Sequence, residues 1–90
     1  MAKAIVDPDE LRRFAQDLKR FTTGLSGQMT SLQGRFNNLA ETWRDQEQQK
    51  FAAEFETTMK VLSRFNDLAS QQIPFLVKKA EKIEEYLNQR

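Results

Sequence analysis

The sequence predicts an all-α protein: an antiparallel two-helix hairpin that dimerises into a four-helix bundle. Three observations carry this. Leu11, Leu18, Leu25, Leu32 and Leu39 recur every seven residues without a break. A second apolar period, at intervals of three or four, begins after Asp45; both periods are helical rather than strand-like. Only a short polar segment around Trp43 separates them, and a short loop between two long helices makes them antiparallel neighbours.

The first helix is expected over about residues 8–42. Asp7-Pro8 is its start signal, since Asp accepts from orphan backbone N–H groups and Pro suits the first helical position. Asp9 and Glu10 add negative charge where the macrodipole favours it. Beside the leucine column run Phe14 and Phe21, then Met29, Phe36 and Trp43. At 100° per residue the stripe fills an arc of roughly 120°. Gly24, Gly27 and Gly34 interrupt it in composition but not in period. Three readings of them stand: a weak or slightly bent helix, a break between Thr22 and Gly27, or a close approach of another helix. Each Gly costs about 1 kcal/mol against Ala in a helix interior.

The turn is expected at about 43–46. Asp45 with Gln48 three residues on has the spacing of a capping box, the Asp capping the second helix. Asx residues also tolerate the left-handed backbone that tight reversals use. The second helix then spans about 46–88. Phe51, Phe55, Met59, Leu62, Phe65, Ala69, Ile73, Leu76, Ala80, Ile83 and Leu87 line its main stripe. Pro74 lies within it; the stripe continues beyond, so a kink is expected rather than a stop.

The hairpin core is assigned to Leu11, Phe14, Leu18, Phe21, Leu25, Met29, Leu32, Phe36 and Leu39 of the first helix. They are matched by Phe51, Phe55, Met59, Leu62, Phe65, Ile73, Leu76 and Ile83 of the second. Helix two carries a further column, Val61, Leu68 and Phe75, with Tyr86 on the same side. Together its columns cover roughly 200° of the wheel, more than one neighbour can bury. Val61, Leu68, Phe75 and Tyr86 are therefore the expected dimer or partner interface.

Composition narrows the function classes. The 90 residues include no Cys and no His, which excludes disulfides, Cys/His zinc sites and Ser-His or Cys-His catalysis. Fourteen basic and thirteen acidic residues give a net charge of +1, with no strong field toward nucleic acid. Arg12, Arg13, Lys19 and Arg20 are diluted by Asp9, Glu10 and Asp17. The mixed run Lys78, Lys79, Glu81, Lys82, Glu84 and Glu85 reads as a solvated helix face. Carboxylates at Glu54 and Glu56 lack the ligand loop a cation site requires. No metal, cofactor or catalytic constellation is expected, and the protein is read as a non-enzyme. The uninterrupted apolar run Phe75-Leu76-Val77 falls far short of the roughly 20 residues of a membrane span. Residues Met1 to Asp9, with Ala4-Ile5-Val6, carry no signal-peptide apolar region. The expectation is cytoplasmic synthesis without a leader, and any export by a leaderless route.

The opening Val6-Asp7-Pro8-Asp9-Glu10-Leu11, the mid-chain turn Trp43-Arg44-Asp45 and the aromatic helix start at Phe51 and Phe55 resemble the WXG family over essentially the whole chain. These are small helical-hairpin proteins of the early-secreted-antigen type, exported by type VII secretion systems. The resemblance implies a secretion substrate or its dimer partner, acting through protein–protein interaction. Its partners would be a second copy, a sibling WXG-like hairpin, and a secretion ATPase of the FtsK/SpoIIIE type. It implies that Trp43 and the partner's C-terminal tail form a composite recognition surface. Two departures stand out. The family's turn Gly is replaced by Asp45, and the family's export signature, Tyr followed four residues later by an acid, reads here Tyr86 with Arg90. In heterodimeric members one partner can carry that signature for both. The alternative reading is an intracellular helical adaptor or chaperone that binds a partner's amphipathic helix. A needle-type secretion subunit, which would polymerise head to tail, is a third.

Overall fold

The computed structural model describes residues 6–88. Two helices, α1 (Pro8–Leu39) and α2 (Gln46–Asn88), fold back on each other as a hairpin. At 1.5 Å per residue they are about 48 and 64 Å long, and the molecule measures 69 × 20 × 17 Å. Ala4 and Ile5 of the N-terminal segment, and Arg90, lie outside the described residues.

The start of α1 follows the sequence signals. Asp7 is extended, with φ −69° and ψ 121°, and its Oδ1 accepts the Asp9 N–H at 2.9 Å; Pro8 follows it. The helix ends at Leu39, short of residue 42. Nothing in the composition forces this stop; the backbone makes it by tightening. Glu41 N–H donates to Asn38 O and Thr42 N–H to Leu39 O, three residues back. Trp43 N–H and the Thr42 hydroxyl also donate to Leu39 O. The last carbonyls of α1 thus acquire donors without a glycine cap.

Asp45 then caps α2, its Oδ1 accepting the Gln48 N–H at 2.9 Å. No described residue has positive φ, so the reversal needs no left-handed position. Asp45 caps as its spacing to Gln48 predicts, and an aspartate serves where the resembling family has a glycine because the position asks for a cap, not for a missing Cβ. Helix α1 runs unbroken past Gly24, Gly27 and Gly34, and a Cβ at any of them would meet nothing within 4 Å. Neither a break nor a close approach within the hairpin explains these glycines. Helix α2 likewise continues through Pro74, which lacks the N–H that would reach the Ser70 carbonyl.

The shape leaves surface uncovered. The radius of gyration is 20.3 Å, where a globular chain of this length would have about 12 Å. The accessible surface is 7264 Å², against about 5,400 Å² for a globular protein of this mass. Among the described residues only Ala15, Thr22 and Ala80 are buried. Two rods meeting along one line can enclose small side chains completely and large ones only in part.

Candidate functional site

The division of the apolar stripes between the seam and solvent defines the surface available for interaction. Leu11, Leu18, Leu25, Met29 and Phe36 of α1 are half-buried in the seam, as are Phe55, Met59, Leu62, Ile73, Leu76 and Ile83 of α2. Phe14, Phe21, Leu32 and Leu39 of α1 are exposed, Phe14 by 56%. Phe51 and Phe65 of α2 are exposed as well. The expected interface column lies open: Val61, Leu68, Phe75 and Tyr86 are all exposed, Phe75 by 63% and Tyr86 by 64%.

These open residues share one flank of the hairpin. On α1, taking the line through Leu18 and Phe36 as centre, Phe14, Phe21, Leu32 and Leu39 lie about 40–60° to one side, and Ala15 and Thr22 the same angle to the other. On α2, Val61, Leu68 and Phe75 lie about 60–100° to one side of the centre of the apolar arc, and Asn66 and Glu84 about 80° to the other. The rings of Phe21 and Phe65 meet edge to face, centroids 6.3 Å apart, which joins the two exposed strips into one face. A groove of about 380 Å³ interrupts it, lined by Leu25, Met29, Leu32, Met59 and Leu62 with Gln28, Ser31 and Arg35.

The opposite flank is polar and holds the long-range polar contacts. Arg12 donates two hydrogen bonds to the Glu84 carboxylate, 2.5 and 2.8 Å long. Its side chain is 34% exposed and that of Glu84 41%. The hydrogen bond to Arg12, with a smaller coulombic contribution, lowers the Glu84 pKa against an opposing desolvation, and the same bond raises that of Arg12. Further toward the turn, the Asn66 amide donates to the Thr22 carbonyl at 3.1 Å. The Asn66 Oδ1 is buried without a partner. Sequence reading placed Glu84 on a solvated face and did not single out Asn66. Their partners are 72 and 44 residues away, beyond the reach of any local pattern.

At the closed end, Trp43 is half-buried and Arg44 and Asp45 are exposed. The Trp43 ring lies 5.9 Å from Phe51, which stacks on Phe55 at 5.8 Å; Phe36 touches both, at 5.6 and 4.9 Å. Four aromatic rings thus brace the turn, with the indole half-buried among them. Among the described residues there is no group of acidic side chains able to hold a metal, and no helix is long and apolar enough to cross a membrane.

Comparisons with known proteins agree with this architecture. The model of the WXG100 family, described as proteins of 100 residues with WXG, matches residues 4–87. The fold is similar to solved structures of the secreted protein EsxB from Bacillus anthracis strain Sterne. The wild-type structure has a TM-score of 0.79 at 26% identity, covering 92% of this chain and 89% of that one. A point mutant of EsxB has a TM-score of 0.78 at 27% identity, covering 94% and 98%. A selenomethionine-labelled form reaches 0.79 at 26%, covering 96% and 98%. No curated protein matches the chain.

Proposed function

The chain belongs to the WXG100 family, and from that premise we propose that it is an early-secreted-antigen-type protein: a substrate of a type VII-like secretion route, or the dimer partner of one. It acts by protein–protein interaction. The observation that carries this reading is the open apolar face shared by both helices, with Phe14, Phe21, Phe65, Leu68 and Phe75 exposed. A small protein does not leave so much contiguous apolar surface in water without a partner for it. Another hairpin of the same kind, a second copy or a WXG-like sibling, covers it and completes a four-helix bundle.

EsxB is a secreted protein, which supports export of this chain. An FtsK/SpoIIIE-type ATPase would receive the folded bundle at the turn, where the half-buried Trp43 would stand beside the partner's tail. Tyr86, 64% exposed, stands ready near the other end. The position four residues beyond it is Arg90 rather than an acid, so a WXG-like sibling supplies the export signature, which a second copy would lack as well. That same residue favours the second reading, an intracellular adaptor whose face holds a partner's amphipathic helix.

The test is to follow the chain in its own cells with and without the secretion ATPase. Export predicts full-length protein in the medium with its N-terminus uncleaved, lost when the ATPase is disrupted. Retention in cells that export their other substrates overturns the export reading and leaves the adaptor.

A further inference from the structure

The hairpin buries its small residues and leaves its large ones half in water, and this offset has a structural cause. Thr22 is 5% exposed and Ala80 fully buried, while Phe21, the residue next to Thr22, and Phe65, whose ring meets that of Phe21 from α2, are exposed by about half. A lone helix pair seeking maximum burial would align the centres of its apolar stripes. A roll of roughly 50° about each axis would do that here. It would carry Phe14, Phe21 and Leu32 of α1 and Phe65 of α2 into the seam.

Two contacts oppose that roll. Arg12 grips Glu84 with two charge-assisted hydrogen bonds at the open end, and Asn66 reaches the Thr22 carbonyl in the middle. Both lie on the flank away from the open face. Rolling the stripes inward would swing these four residues apart, so the contacts fix the rotational setting of the helices. Asn66 holds its place although its Oδ1 is buried and unpaired, an arrangement burial alone would not favour. A bidentate Arg–carboxylate pair adds the geometric specificity such a setting needs.

We propose that Arg12–Glu84 and Thr22–Asn66 form a clamp on the back of the hairpin that withholds the aromatic stripe from the chain's own seam and keeps it presented for a partner hairpin. These four are positioning residues, acting through the face they hold open. The inference rests on the association reading above, yet its first readout does not need association.

The test combines Asn66→Ala with Glu84→Gln. Solvent exposure of the Phe14, Phe21 and Phe65 rings is measured by NMR with a soluble paramagnetic agent. A Phe75→Asp background keeps hairpins apart, so that single molecules are read. The clamp predicts that paramagnetic broadening of these rings falls by roughly half, with helical circular dichroism retained. In the otherwise wild-type chain, self-association measured by sedimentation weakens roughly tenfold. The charge swap Arg12→Glu with Glu84→Arg, with Asn66 intact, restores both readouts and excludes mere loss of folding. Unchanged ring exposure in a helical double variant overturns the proposal. Reduced ring exposure with undiminished self-association upholds the clamp as a rotational lock and overturns the docking role of the face.

Discussion

Phe75→Asp separates folding from association, because the side chain is 63% exposed in the hairpin. A phenylalanine presents roughly 200 Å² when extended, so about 125 Å² of this ring faces solvent. Covering that area is worth roughly 3 kcal/mol at 25 cal/mol per Å². In a symmetric dimer the loss is taken twice, and each buried aspartate adds a desolvation cost. The dissociation constant should therefore rise by at least about 10⁴-fold. Folding of the single hairpin should change by no more than about 0.5 kcal/mol, since the site is a surface one there. Light scattering gives the mass and circular dichroism the helix content across a dilution series. The expected result is a helical species near 10.5 kDa at concentrations where the parent chain is twice that. Leu68→Asp should act in the same direction. An unchanged native mass in both variants would refute the assignment of this column to the interface. Loss of helix at low concentration would refute the claim that the ring is free in the hairpin.

Trp43→Ala should destabilise the fold by about 2–3 kcal/mol, below the 3–5 typical of a fully buried ring, because the indole is only half-buried against Phe51. Denaturant unfolding measures it, and a loss under about 1 kcal/mol would assign the residue to recognition alone. Gly34→Ala should stabilise by about 0.5–1 kcal/mol, since a Cβ there meets open space in regular helix. A thermal midpoint that falls instead would mean that another molecule packs against this side of α1. The Glu84 carboxyl is held below its ordinary value of 4.5 by the Arg12 hydrogen bond. Its stabilisation is therefore present above the unfolded value and lost as pH falls through the folded one. Wild type and Glu84→Gln should melt apart at neutral pH and converge in acid. A gap independent of pH would exclude the ion pair as its source.

What the sequence made legible was periodic or adjacent. The leucine column at Leu11 to Leu39 is a seven-residue pattern, and Asp45 with Gln48 is a three-residue spacing; each is decided within a turn or two of helix. The stop at Leu39 was not, because two tightened backbone hydrogen bonds make it and the apolar period runs on to Trp43. Periodicity also finds the members of a stripe without dividing it among neighbours. Phe14 and Leu18 belong to one stripe, yet one faces solvent and the other the seam. That division depends on the rotation of each helix, which Arg12–Glu84 and Thr22–Asn66 influence from 72 and 44 residues apart.

The aromatic cluster at the turn has a kinetic meaning as well. Phe36 and Phe51 come together by closing a short loop, whereas Arg12 and Glu84 are separated by 72 residues. Direct closure of the longer loop would cost about 1.4 kcal/mol more in chain entropy. Folding is thus cheapest when Phe36, Trp43, Phe51 and Phe55 meet first and each later pair shortens the loop for the next. Loop entropy therefore predicts closure as a zipper from the turn, with φ-values high at Phe36 and Phe51 and near zero at Arg12. The same ordering predicts that unfolding runs the other way, the end that carries Tyr86 opening first, as amide exchange would show.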